Sequence, residues 1–354
     1  MRIVQIIVIG AVAAALAPAA TGPAPTGSQA TPANKWVDIS DPVVNALAAA
    51  GKTLAWPYQT AGVACDATNG DVFMVVPGQG IWKSTDQGAH FARADGDAIG
   101  GRCETSFALN VDPAGRRLAC FMLDGPCAIT PDGGATWQPM TSLGRNWDYA
   151  AVDWSTETVA NILGERHEVG GEVYLSNDAG RTWKLLFKDA GFDRVGGLGI
   201  FDAKTLVRTW PGHGIERSTD AGATWTKVAD SQPNGRVCKV SRGTAYWLCP
   251  DGLLTSRDRG LAWAKTGDAC PGSIGPMFDP ADPRHLAIAG ADGIFESADA
   301  GKSWSKVASL PPKFDVPKPG GWFTNVAWDP KRGLYYVSHM GQPTYKLETK
   351  PTHS

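Results

Sequence analysis

Four arginines stand a few residues ahead of short apolar runs that read as β-strands: Arg102, Arg145, Arg194 and Arg236. A fifth, Arg208, ends another such run. A guanidinium presents a planar fork of donors, so several converging on one point would hold a carboxylate through bidentate, charge-assisted hydrogen bonds. The competing reading is local pairing with Asp97, Glu104, Asp148 or Asp193, which is how most loop arginines are occupied.

Proton-transfer candidates are few. His167 lies in the loop Leu163 to Gly171, beside Glu165, Arg166 and Glu168, while His213 follows Trp210 and His339 ends a strand-like run. Two carboxyls set across a glycosidic bond would support hydrolysis, and Asp148, Asp193, Glu165 and Glu168 are the candidates. A lyase would instead neutralise a uronate carboxylate with arginine and move protons with His167, His213 or Tyr149. Trp147, Trp210, Trp56, Tyr58 and Trp322 offer flat apolar faces against which sugar rings stack. Together these residues point to an anionic glycan as ligand. The bland alternative is that Trp147 and Tyr149 pack inside the fold and that each histidine is a loop hydrogen-bonder.

The elements that must position these groups announce themselves by repetition. An octapeptide recurs six times, at Ser84–Phe91, Thr130–Trp137, Ser176–Trp183, Ser218–Trp225, Ser256–Trp263 and Ser297–Trp304. Its pattern is Ser/Thr-x-Asp-x-Gly-x-x-Trp, and successive aspartates are 38 to 46 residues apart. That period suits a four-stranded blade of a ring-shaped propeller. The Asp accepts hydrogen bonds from the turn it begins, the Gly supplies a positive φ, and the Trp enters the next strand. Each octapeptide follows a strand-like run, such as Glu172 to Leu175, which places it between a blade's third and fourth strands. Its aspartates are therefore read as structural, and chemistry is expected on the opposite face, where two long loops, Asp41–Thr60 and Leu310–Gly321, are expected to wall one side of the channel mouth.

The repeated motif resembles the Asp-box (BNR-repeat) β-propellers, which include sialidases, xyloglucanases, sortilin-type receptor domains and photosystem assembly propellers. The resemblance covers roughly Trp36 to Leu347 and implies an all-β fold of seven blades: six with the box and a seventh closed by the N-terminal strand Trp36–Ile39. Six blades is the alternative count. The Arg-Ile-Pro segment of sialidases is absent, and one propeller does not form the cleft between the two propellers of a xyloglucanase. The resemblance implies either a glycoside hydrolase or polysaccharide lyase acting on a uronate- or sialate-containing glycan, or a non-catalytic propeller that binds a partner protein or glycan.

The remaining expectations come from composition and the chain start. Met1-Arg2, the apolar run Ile3–Leu16 and Ala17-Pro18-Ala19 read as a signal peptide over residues 1–19, followed by an Ala/Pro/Thr-rich linker at 20–34 and the propeller at 35–350. A secreted or periplasmic monomer is expected. The 354 residues carry a net charge of −2, which argues against nucleic acid, and the apolar run is too short to favour a membrane span. Seven cysteines without a CxxC pair suggest local disulfides, with Cys238–Cys249 or Cys249–Cys270 in the later group. No cofactor or metal site is expected, a structural calcium held by backbone oxygens being left open.

Overall fold

A computed structural model describes residues 35–348 except 104, 142–145, 159–160, 168, 194, 268 and 315–322. The expected signal peptide and linker lie outside the described residues. The chain forms seven antiparallel four-stranded sheets, the seven-bladed β-propeller that the repeat predicts. Blade one is Val63–Asp66, Asp71–Val75, Ile81–Ser84 and Ala92–Arg93, ordered from the innermost strand outward. The innermost strands of blades two to six are Leu109–Val111, Trp147–Val152, Gly197–Ile200, Lys239–Ser241 and Ile274–Phe278.

Blade seven is Thr324–Asp329, Leu334–His339 and Thr344–Glu348, completed on its outer side by Lys35–Asp38 from the start of the chain. Trp36 pairs with Leu347, and the Trp36 indole N–H donates to the Ser309 carbonyl at 3.0 Å. Closure leaves no blade with an unmatched strand count, so the ring hides edges that would otherwise pair with other chains. The N-terminal strand does what the sequence led us to expect.

Burial follows position in the blade. Every residue of Trp147–Val152 is buried, whereas Lys184–Lys188, the outer strand of the same blade, is largely exposed. A strand covered by neighbouring blades on both faces reads as a continuous apolar run, and an outer strand does not.

The octapeptide is a hydrogen-bonded knot. In the Ser218 repeat, the Ser218 hydroxyl donates to Asp220 Oδ1 at 2.8 Å and accepts from the Gly222 amide at 2.9 Å. Asp220 also accepts the Thr224 amide at 2.9 Å and the Thr224 hydroxyl at 2.6 Å. The same bonds recur around Asp132, Asp178 and Asp299. Two consecutive residues take left-handed backbone: Ala221 at φ 57° and Gly222 at φ 79°. Gly222 is needed for a second reason, because a Cβ there would stand 2.9 Å from Leu186 Cδ1 on blade three. Gly88, Gly180, Gly260 and Gly301 likewise serve both the turn and a close contact between blades.

Two expectations change. Asp41–Thr60, read as a long loop walling the channel mouth, begins with a helix, Asp41–Ala49. Its Val43 and Leu47 bury themselves against Met74 and Val76 of blade one, a helical four-residue spacing hidden among small residues in an all-β reading. The later cysteines are buried and unbonded to one another. Cys238 packs beneath Gly199, while Cys249 Sγ and Cys270 Sγ point to the Gln232 and Gly272 carbonyls, so each sulfur is committed elsewhere.

Candidate functional site

Strand registers fix which end of the ring is which. Phe278 pairs with Leu286, and Leu286 with Ser297, the first residue of an octapeptide. Innermost strands therefore finish on the octapeptide face and begin on the opposite one, where the loops carrying the candidate arginines and histidines lie.

On that opposite rim stands an aromatic platform. Trp56 and Tyr58 are 49% and 63% exposed, and they are the exposed aromatic residues among those described. The Arg102 guanidinium lies 4.6 Å from the Trp56 ring centroid and bonds the Asp124 carboxylate. The loop is held from beneath: the Ala55 amide donates to the Pro77 carbonyl at 3.0 Å and the Tyr58 amide to the Ala55 carbonyl at 2.8 Å. Tyr58 takes φ 73°, a left-handed conformation that a bulky residue adopts only when its surroundings impose it. The sequence named these two aromatics but gave them no rank over the others; exposure separates them.

Deeper on the same side, five expected residues come together. His167 Nδ1 lies 2.7 Å from Asp148 Oδ1, and Asp148 has no exposed surface. Asp148 Oδ2 is buried without a hydrogen-bond partner. Tyr149 and Glu165 face each other across paired strands, and Arg236 from blade five places Nη1 3.9 Å from Glu165 Oε2. The Arg236 guanidinium also lies 5.3 Å from the Tyr149 ring centroid. Tyr149 donates its hydroxyl to the Gly196 carbonyl at 2.8 Å; burial first, and then the Glu165 charge, hold its phenol well above the ordinary range. Arg236 is 2% exposed and Glu165 fully buried, so this is a desolvated charge pair tying blade three to blade five.

The other expected residues are placed apart from this cluster. Arg208 is clasped by Phe187, Trp210 and Trp225, with ring centroids 4.6, 4.6 and 4.2 Å away, and bonds Glu216 at 2.8 Å. Burial lowers its pKa from the usual guanidinium value. Trp210 stacks on the half-exposed His213 at 3.8 Å. His339 bonds the Thr324 hydroxyl at 2.8 Å beside Phe314. Trp147 is fully buried, its ring centroid 4.4 Å from that of Trp183 at a tilt of 35°, so it packs inside the blade. Arg145, Arg194, Glu104, Glu168 and Trp322 fall outside the described residues. Among the described residues, no three His, Cys, Asp or Glu side chains converge as a metal-binding set.

The sequence passed over a cavity in the lumen. It measures about 100 Å³ and is lined by residues of the innermost strands and the segments next to them, among them Val152, Lys239, Met277 and Trp328. A lysine within an innermost strand, Val237-Cys-Lys-Val240, was the available signal.

No protein-family profile matches the chain. It is 30% identical over 116 residues to a dispase autolysis-inducing protein of Streptomyces mobaraensis, a match covering 32% of this chain and 31% of that one. It is 27% identical over 210 residues to xyloglucanase Xgh74A of Acetivibrio thermocellus, covering 51% of this chain and 22% of the enzyme. The matched stretch is thus under a third of either relative. Among solved structures, "YCF48 bound to D1 peptide" superposes with a TM-score of 0.52 at 14% identity, over 92% of this chain and 99% of that one. An oligogalacturonate lyase from Vibrio parahaemolyticus gives 0.50 at 10% identity, over 84% and 91%. The likeness is one of fold. Propellers of this shape therefore include proteins named as enzymes and one named for a bound peptide, and the site must decide between them.

Proposed function

We propose that this chain is an exported glycan-binding propeller of the Asp-box class, which takes its ligand on the rim opposite the octapeptide turns. One observation carries the reading: the exposed aromatics among the described residues sit together at Trp56 and Tyr58, on a loop held in a strained conformation, with Arg102 behind the Trp56 ring. Exposing two large rings costs solvation, and a flat, rigid, amphipathic surface is what a sugar ring needs for stacking. The relatives named for xyloglucan and oligogalacturonate support carbohydrate as ligand class. Export rests on Met1-Arg2 and the apolar run that follows.

Catalysis is the second reading, favoured by the Asp148–His167 contact and by the unpartnered Asp148 oxygen. Against it, Asp148 and Glu165 have no exposed surface, and a carboxyl that transfers a proton to substrate must be reached by it. Binding of the purified protein to an array of neutral and uronate-bearing glycans tests both readings. Wild-type binding that is lost in Trp56→Ala and Tyr58→Ala, without release of reducing ends or unsaturated uronate, supports the first. Turnover abolished by Asp148→Asn supports the second. Capture of an acidic peptide but no glycan overturns both.

A further inference from the structure

The lumen holds a charged group that the rim does not use. Lys239 comes from the innermost strand of blade five and reaches across the ring, its Nζ standing 5.6 Å from the Phe107 ring centroid on blade two. Among the described residues it has no carboxylate within ion-pair distance. Three other titratable groups line the cavity: Cys65, Cys238 and Asp112. Asp112 is committed to Arg117 at 2.5 Å, and both thiols are pushed up by burial. Beyond Ser106 and Asn110 the lining side chains are mostly apolar, Val152, Val240, Met277 and Trp328 among them, while backbone and polar atoms supply the larger share of the surface the cavity exposes.

An ammonium that is half-buried beside apolar side chains, with no counter-charge among the described residues, gives up part of its hydration. The lost hydration lowers the Lys239 pKa to about 8. An anion entering the lumen would supply the missing partner, and the surrounding side chains would cover a short hydrocarbon tail.

We propose that the lumen is a binding site for a small organic monocarboxylate, its carboxylate on Lys239 and its aliphatic or aromatic tail against Val152, Val240 and Met277. A single cation matches a single negative charge, and the nearby Asp112 carboxylate disfavours a dianion. A cavity of about 100 Å³ limits the ligand to a handful of non-hydrogen atoms. Its lining includes Ala67, Pro113 and Trp154, which follow the ends of innermost strands on the octapeptide side, and excludes Trp56 and Tyr58 of the glycan platform.

The test is calorimetric titration of the full chain with sodium butyrate, with sodium chloride and butanol as controls. Saturable butyrate binding is expected, weaker by about tenfold or more in Lys239→Met, since a charge-assisted hydrogen bond contributes roughly 1.5–3 kcal/mol. Near pH 8 the complex should take up protons, because the bound anion favours the charged amine. Lys239→Arg, which keeps the charge, should retain part of the affinity, and thermal melts of both variants check that they fold. Butyrate affinity unchanged in Lys239→Met, absence of saturation, or chloride binding as tightly as butyrate would each overturn the proposal.

Discussion

The Arg102 guanidinium lies 4.6 Å from the centre of the Trp56 ring, on a rim where Trp56 is half exposed. The cation holds one face of the indole and Asp124 holds the cation, leaving the ring oriented outward without help from a ligand. Orientation before binding is what makes such a surface selective.

Trp56→Ala should weaken glycan binding about 5- to 30-fold, the equivalent of about 1–2 kcal/mol for a lost stacking face. Arg102→Met should weaken it less, by loosening the ring. Melting temperatures of both variants should stay near wild type, because neither side chain is part of the core. Glycan affinity by titration, next to a thermal melt, checks this. A large drop in melting temperature with unchanged affinity would mean the platform is only a brace.

Arg236→Met should destabilise the protein by about 3–5 kcal/mol, because it removes a cation 3.9 Å from the fully buried Glu165 carboxylate. The double variant Arg236→Met with Glu165→Met should recover much of that loss. Urea midpoints for the wild type, Arg236→Met, Glu165→Met and the double variant form a double-mutant cycle. If both single variants melt like wild type but lose glycan binding, the pair belongs to the ligand and not to the core.

Asp220 is held down to about 2, first by the Thr224 hydroxyl and then by the Thr224 amide. A depressed carboxylate contributes stability that is present above its unfolded value near 3.9 and is lost as pH falls through the folded value. Acid unfolding should therefore steepen between about pH 4 and 2. Asp220→Asn should lower the melting temperature at pH 7 and flatten that acid limb; melts at graded pH read both effects.

His285 sits between Asp279 at 3.0 Å and Glu296 at 3.2 Å, while Glu296 also accepts the Tyr335 hydroxyl of blade seven at 2.6 Å. The Glu296 hydrogen bond is the main cause of its raised pKa, with Asp279 adding to it against desolvation. A raised histidine stabilises the fold fully below its unfolded value near 6.5 and loses that contribution as pH rises through the folded value. The stability difference between wild type and His285→Gln should be largest near pH 6 and shrink by pH 9. A difference that grows with pH would contradict the sign.

The sequence by itself determined the ring. The Ser-x-Asp-x-Gly knot closes through bonds spanning at most four residues, so its chemistry is local, and its spacing counts blades before any coordinates exist. Even the closing strand at Trp36 was legible, because it copied the strand that follows the knot elsewhere. The site was only partly legible. Asp148, on the innermost strand of blade three, and His167, just after the second strand of that blade, were each legible as candidates, but in separate roles and not as a contact. Arg208 was read as ending a strand and joining the loop arginines at the channel mouth, yet three aromatic rings from two blades enclose it. Arg236 meeting Glu165 and Lys239 meeting Phe107 depend on closing the circle, which brings distant repeats to a common axis. No local pattern encodes that meeting, because it is set by the accumulated rotation of seven blades, and the same rotation decides which side chains water can reach.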